Sequence, residues 1–247
     1  MASLAIIGGT GLTSLEGLKI VGREVVHTPY GEPSGPLTHG ELFGNDVTFL
    51  ARHGYRHTIP PHRVNYRANL WALKHIGVTH VIAVAAVGGI TQRMAPCQLA
   101  VPDQIIDYTY SRSHTFFEEG LDGVTHIDFT HPYCAEMRQA LLAGGKEVAG
   151  LDLVDGGTYA ATQGPRLETA AEVDRLERDG CDVVGMTGMP EAALARELDL
   201  CYASLAVVAN WAAGRGGKAI TMEEISDNLR TGMDRVRQVL KAAIPLI

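Results

Sequence analysis

His80-Val81-Ile82-Ala83-Val84-Ala85-Ala86 is a nearly continuous apolar run that ends at the pair Gly88-Gly89. A short run of this kind, rich in Val and Ile and closed by glycines, reads as a central strand covered on both faces. Upstream, Ser3-Leu4-Ala5-Ile6-Ile7 reads as a second buried strand, followed by the tight turn Gly8-Gly9-Thr10-Gly11. Asn45 to Ala51 reads as a third strand and delivers Arg52 and His53 to its carboxyl end. From about Val64 to His75, the residues Val64, Ala68, Trp71 and Ala72 recur at helical spacing, and Gly77 stops that helix.

Downstream, strands are expected at Ala100-Val101, Ile105-Ile106, Val154, Thr158-Tyr159-Ala160, Val183-Val184 and Tyr202 to Val208. Helices are expected from His131 to Val148, Glu168 to Arg178, Pro190 to Leu198 and Met222 to Ala243. Strands alternating with helices to the end predict an α/β class. The expected form is one three-layer domain over residues 1–247, with a central mixed, mostly parallel sheet flanked by helices. Two glycine-rich segments, Thr28 to Leu42 and Ala212 to Lys218, read as mobile loops.

Composition narrows the function classes. Apolar residues make up 46 % of the 247, enough for a sizeable core, and a charged fraction of 20 % argues against wholesale disorder. Net charge is −7 with Lys and Arg dispersed, so neither nucleic acid nor a membrane surface is an expected partner. The first apolar stretch is strand-sized and lacks a basic leader, which predicts a cytoplasmic protein without a signal peptide or membrane span. Cys97, Cys134, Cys181 and Cys201 include no C-x-x-C pair, and free thiols are expected.

Ligands of such sheets sit beyond the carboxyl ends of the strands. Gly8 to Gly11 would let the backbone approach an anion, with the Thr10 hydroxyl as a further donor; a plain tight turn reads equally well. A dinucleotide loop is disfavoured, because Ser14 stands where the third glycine of G-x-G-x-x-G belongs. Arg52-His53 would supply positive charge and N–H donors to a phosphate. His57 and His62 lie nearby, yet no Asp, Glu or Cys stands among these histidines, so no metal is expected. Thr187 precedes a helix and reads as a cap or as a phosphate donor, and Met186 as core or as the floor of a sugar site. Asn210 presents a donor and an acceptor side by side, which suits the O6/N7 edge of a 6-oxopurine; a turn-forming Asn is the plainer reading.

Five motifs in order, IIGGTG at 6–11, ARHGYRHTIPPHRVNYRANLWALK at 51–74, GGTYAATQGPRLET at 156–169, GMTGMPE at 185–191 and CYASLAVVANW at 201–211, resemble the trimeric purine nucleoside and methylthioadenosine phosphorylases. The resemblance runs from Ile6 to about Ile244. It implies a phosphorylase/hydrolase-like fold and cleavage of a purine nucleoside by inorganic phosphate as co-substrate, with no cofactor. It also implies a homotrimer with sites near subunit interfaces. Phosphate would be held by Thr10, Arg52, His53, the backbone at Ala85 and Ala86, and Thr187. Ribose would lie over Met186, and the base between Asn210 and Glu168, with Asn210 and His53 as the catalytic groups.

Two departures bear on the substrate. Adenine-specific relatives carry Asp-x-Asp where this chain has Asn210-Trp211-Ala212, and they lack an acid at the position of Glu168. A carboxylate at Glu168 accepts N1–H of hypoxanthine but faces a bare lone pair on adenine, a mismatch of about 1–3 kcal/mol; it also reads as a helix-start carboxylate. At the 5′ end, Met222 stands where inosine-cleaving relatives place a His, with Ile225 one turn on. Helical periodicity alone would turn both into the core. His126 matches a residue lent by a neighbouring subunit. A 6-oxopurine base site joined to an apolar sugar site implies 5′-methylthioinosine as substrate. An inosine/guanosine phosphorylase and a methylthioadenosine phosphorylase are the alternatives within the family; a nicotinamide-dependent reductase and a purine-binding sensor are those outside it.

Overall fold

The computed structural model describes residues 3–12, 14–120, 122–217 and 219–247. Its centre is the parallel trio β1 (Leu4–Gly8), β5 (His80–Gly89) and β11 (Cys201–Trp211), with β5 in the middle. The apolar runs that predict these strands are buried on both faces, as their lack of alternation requires. Alternate residues serve different layers. Ala5, Ile7, Val81 and Ala83 pack with α1 (Tyr66–His75) and α4 (Gly188–Glu197). Leu4, Ile6, Ile82 and Val84 pack with α2 (Ala135–Lys146) and α5 (Met222–Ala243). The result is the three-layer α/β arrangement that the alternation of elements predicts.

The sheet extends through β4 (Asn45–Ala51), parallel to β1, then antiparallel through β3 (Leu37–Leu42) and β2 (Lys19–Glu24). On the other side, β10 (Val183–Gly185), β9 (Thr158–Ala161) and β7 (Gln104–Asp107) follow, while β6 (Leu99–Val101) and β8 (Val154–Asp155) continue from β11. Parallel pairings outnumber antiparallel ones. The remaining helix, α3 (Ala170–Arg178), begins with a capping box between Thr169 and Glu172. No described helix is long and apolar enough to cross a membrane.

Three expectations are corrected. Leu37–Leu42, read as part of a loop, is a strand held between β2 and β4, and Asn65 and Asn69 tie down the segment before it through Tyr30 and Ser34. Cys134 and Cys201, read as free thiols, form a disulfide across 67 positions, a pairing that local spacing cannot reveal; Cys97 and Cys181 are free. β5 does not stop before Gly88-Gly89 but runs through them, because β10 pairs there. Lys218, at the end of the second glycine-rich segment, lies outside the described residues.

Candidate active site

β5 changes neighbours halfway along one edge. β1 pairs with it only up to Ala83, and β10 begins only at Gly88. Among the described residues no strand pairs with this edge from Val84 to Val87, and a cleft of about 430 Å³ opens against it. Val84 turns its carbonyl to this edge, where Arg52 donates to it, and Ile90 donates its N–H to Asp182 from the same edge. The alternation of a strand therefore aims the Ala86 N–H into the gap, and the Ala85 N–H towards β11. Of the two residues expected to offer a backbone donor, Ala86 is the one so placed.

The glycine turn after β1 packs over the gap. A Cβ on Gly9 would stand 2.8 Å from the Val84 carbonyl oxygen and 2.9 Å from Arg52 Nη1, so only glycine fits beside them. Thr10 lines the cleft, its Oγ1 3.4 Å from His57 Nε2.

Arg52 and His53 are both present but electrically unlike their expectation. Arg52 is 1 % exposed and donates through Nε and Nη2 to both oxygens of Glu191, at 2.6 and 2.7 Å. Burial works against its charge, but the Glu191 carboxylate outweighs it and the guanidinium pKa is raised. Tyr202 also donates to Glu191. His53 Nδ1 lies 2.8 Å from the Ile59 carbonyl oxygen, which can only accept, so Nδ1 carries the hydrogen. Burial, then the Arg52 charge, pulls the imidazole pKa down to about 4. At neutral pH His53 is uncharged and presents Nε2 as a lone pair. The expected positive patch is thus a compensated ion pair beside a neutral ring.

Thr187 lines the cleft next to Met186 and makes no side-chain cap to α4. Its backbone N–H faces the Tyr159 hydroxyl at 3.4 Å. Met186 lies against Gly164, where a Cβ would fall 2.4 Å from its sulfur. Arg112, which carried no motif signal in the sequence, holds this corner together: it donates to the carbonyls of Met186, Met189, Thr162 and Gln163.

Asn210, Ala212 and Glu168 line the cleft as well. The register of β11 against β5 slips between Val208 and Asn210, a bulge that re-aims the Asn210 side chain into the cleft. Asn228 on α5 anchors the bulge by donating to the Ala209 carbonyl. Asn210 uses one amide hydrogen on the Trp211 carbonyl, leaving a donor and Oδ1 for a ligand. Glu168 does not serve the start of α3, a task done by Thr169 and Glu172; instead it accepts from Thr162 Oγ1 at 2.6 Å. Ala212 is buried and offers a methyl group.

Met222, at the first turn of α5, lines the cleft and is 74 % exposed, so it does not face the core as periodicity alone would have it. Ile225 does both, lining the cleft and packing on the core. Leu167 and Ile220, which the sequence reading passed over, add apolar wall. Trp211, in the stretch that resembles the family's base site, and His126, which the resemblance assigns to a neighbouring subunit's site, do not line this cleft. Trp211, one step along the strand from Asn210, turns its ring away against Gly216. His126 is exposed in the segment between β7 and α2.

Comparison with known proteins agrees with this architecture. Residues 3–245 match the Phosphorylase superfamily. A Pseudomonas syringae pv. tomato protein named "Probable S-methyl-5′-thioinosine phosphorylase" is 56 % identical over 240 residues, 97 % of each chain. The "6-oxopurine nucleoside phosphorylase" of Pyrococcus furiosus is 46 % identical over 253 aligned positions, covering 100 % of this chain and 94 % of its own. Methylthioadenosine phosphorylase from Schistosoma mansoni, solved in complex with adenine, superposes with a TM-score of 0.94 at 32 % identity, over 100 % of this chain and 92 % of that one. With a match across nearly its whole length, the chain belongs to the Phosphorylase superfamily.

Proposed function

We propose that this nucleoside phosphorylase converts 5′-methylthioinosine and phosphate to hypoxanthine and 5-methylthioribose 1-phosphate. The observation that carries this reading is one cleft lined by two unlike sets of side chains: Glu168 and Asn210 with the methyl of Ala212, and the apolar Met222 with Ile225. The first set pairs with N1–H, O6 and N7 of a 6-oxopurine and offers an adenine amine nothing. The second set suits a methylthio group.

Phosphate occupies the gap on β5, near the Ala86 N–H, the hydroxyls of Thr10 and Thr187 and the two Arg52 hydrogens that Glu191 and Val84 leave unused. His53 Nε2 accepts a hydrogen bond from the hydroxyl of monohydrogen phosphate, whose proton ends on the departing purine. As the C1′–N9 bond stretches, the sugar becomes cationic and the purine gathers negative charge. Asn210 stabilises that charge at the N7/O6 edge, where it develops. A phosphate oxygen then forms the new bond to C1′ from the opposite face, and the remaining contacts chiefly position it. No metal or organic cofactor enters this chemistry. The enzyme works in the cytoplasm as a homotrimer, with His126 completing a neighbouring subunit's site.

The name of the Pyrococcus relative favours a second reading, a general 6-oxopurine nucleoside phosphorylase. Comparing kcat/KM for base release from methylthioinosine, inosine and methylthioadenosine separates the two. Methylthioinosine should lead inosine by about a hundredfold, the usual limit for an apolar pocket rejecting a hydroxyl. Equal rates on inosine select the second reading. A lead for methylthioadenosine refutes the base-site assignment, and no phosphate-dependent release from any substrate refutes both readings.

A further inference from the structure

At the opposite end of the same strands, away from the cleft, His80, Glu136 and Cys201 bring one ligand atom each to within 4.8 Å of one another. Cys134 is bonded to Cys201 and joins the group. We propose that, once the Cys134–Cys201 disulfide is reduced, these residues form a zinc site.

The histidine is already set as a ligand. Thr79 Oγ1 lies 2.8 Å from His80 Nδ1 and 3.4 Å from the Ser3 carbonyl oxygen; with the Thr79 hydrogen on that carbonyl, the Thr79 oxygen accepts from Nδ1. Nε2 is then a lone pair. It is buried, has no hydrogen-bond partner among the described residues, and faces the Glu136 carboxylate at 3.9 Å. In that tautomer two acceptors face each other, an arrangement that a cation between them satisfies. A hydrogen bond on the far ring nitrogen is also what orients ligating histidines in metal sites. Ligands around tetrahedral zinc stand about 3.3–3.8 Å apart, given bond lengths of about 2.0–2.3 Å. Small side-chain rotations therefore close the present spacings.

The backbone keeps the group assembled without the S–S bond. Cys201 pairs with His80 in the β5–β11 ladder, and the Cys134 N–H donates to the Tyr202 carbonyl at 2.8 Å. Glu136 sits in the first turn of α2, directly after Cys134. Reduction by a dithiol breaks the S–S bond and leaves two thiols, while the reductant closes its own disulfide. Zinc then displaces the two thiol protons to solvent and takes two thiolates, one imidazole and one carboxylate. That donor set suits zinc over the hard divalent cations. In a reducing compartment the metal would replace the disulfide as the link between α2 and β11. The histidines weighed for a metal in the sequence, His53, His57 and His62, take no part.

Cobalt(II), a coloured surrogate for zinc, tests the proposal in a Cys97→Ser/Cys181→Ser background, where Cys134 and Cys201 are the remaining cysteines. The reduced chain should take up one equivalent and show thiolate-to-cobalt charge-transfer absorption with tetrahedral visible bands, which zinc then bleaches. The oxidised chain should show neither. His80→Ala should weaken uptake at least about tenfold, and Cys201→Ser should abolish the charge-transfer band. Zinc should raise the Tm of the reduced chain alone. A reduced chain that keeps its far-ultraviolet circular dichroism yet gives no bands overturns the proposal. So do bands that survive Cys201→Ser or match those of the oxidised chain.

Discussion

Arg52 and Glu191, 139 positions apart in the chain, meet through two hydrogen bonds with side chains 1 % and 0 % exposed. Glu191 reads from the sequence as a carboxylate favouring the start of a helix. The structure gives it a larger task, as counter-charge to the one arginine among the described residues that lines the cleft. Glu191→Ala would strand that guanidinium in the core, and unfolding free energy should fall by about 3–5 kcal/mol. Urea denaturation checks it; a loss under about 1 kcal/mol would contradict a buried pair.

His53 makes stability depend on pH. Its folded pKa of about 4 lies below the ordinary 6.5, so the unfolded chain binds the proton more readily. The stability it contributes is complete above pH 6.5 and is lost as pH falls towards 4, by roughly 3 kcal/mol in all. His53→Gln should flatten that part of the acid limb in a series of thermal melts. An unchanged limb would mean that His53 titrates normally.

The base end should be convertible. Asn210→Asp with Ala212→Asp should move preference from methylthioinosine towards methylthioadenosine, with at least about tenfold loss on the former. Glu168→Gln keeps the shape but turns one acceptor into a donor, and should cost about 1–3 kcal/mol in kcat/KM for 6-oxopurines. Steady-state kinetics on both substrates read these changes. If Glu168→Gln leaves kcat/KM intact, Glu168 serves only Thr162.

Met222 is exposed, so Met222→His should fold normally. Inosine should gain against methylthioinosine by about tenfold or more, because the imidazole can hydrogen-bond a 5′-hydroxyl. An unchanged ratio would remove Met222 from the sugar site.

Local pattern reveals the centre of this fold because burial on both faces leaves its mark on nearly every residue of β1 and β5. It also marks the helix from Pro190: Met189, formally inside α4, is extended, and the proline opens the regular turns. β2 is mostly exposed, with no apolar alternation to give it away, and only its pairing with β3 makes it a strand. The residues at the cleft were legible because glycine, histidine and asparagine at strand ends are chemically conspicuous. Their electrical state was not, since it depends on Glu191 and on the Ile59 carbonyl. Arg112 and the Cys134–Cys201 bond belong to the same class of long-range fact.

The unpaired edge of β5 has a consequence for how this enzyme can be studied and how it can change. A donor such as the Ala86 N–H belongs to the peptide bond, and almost any amino acid at that position would supply it. Alanine scanning would therefore pass over this donor in silence. Drift in sequence could likewise rewrite the side chains around this edge while leaving the donor in place.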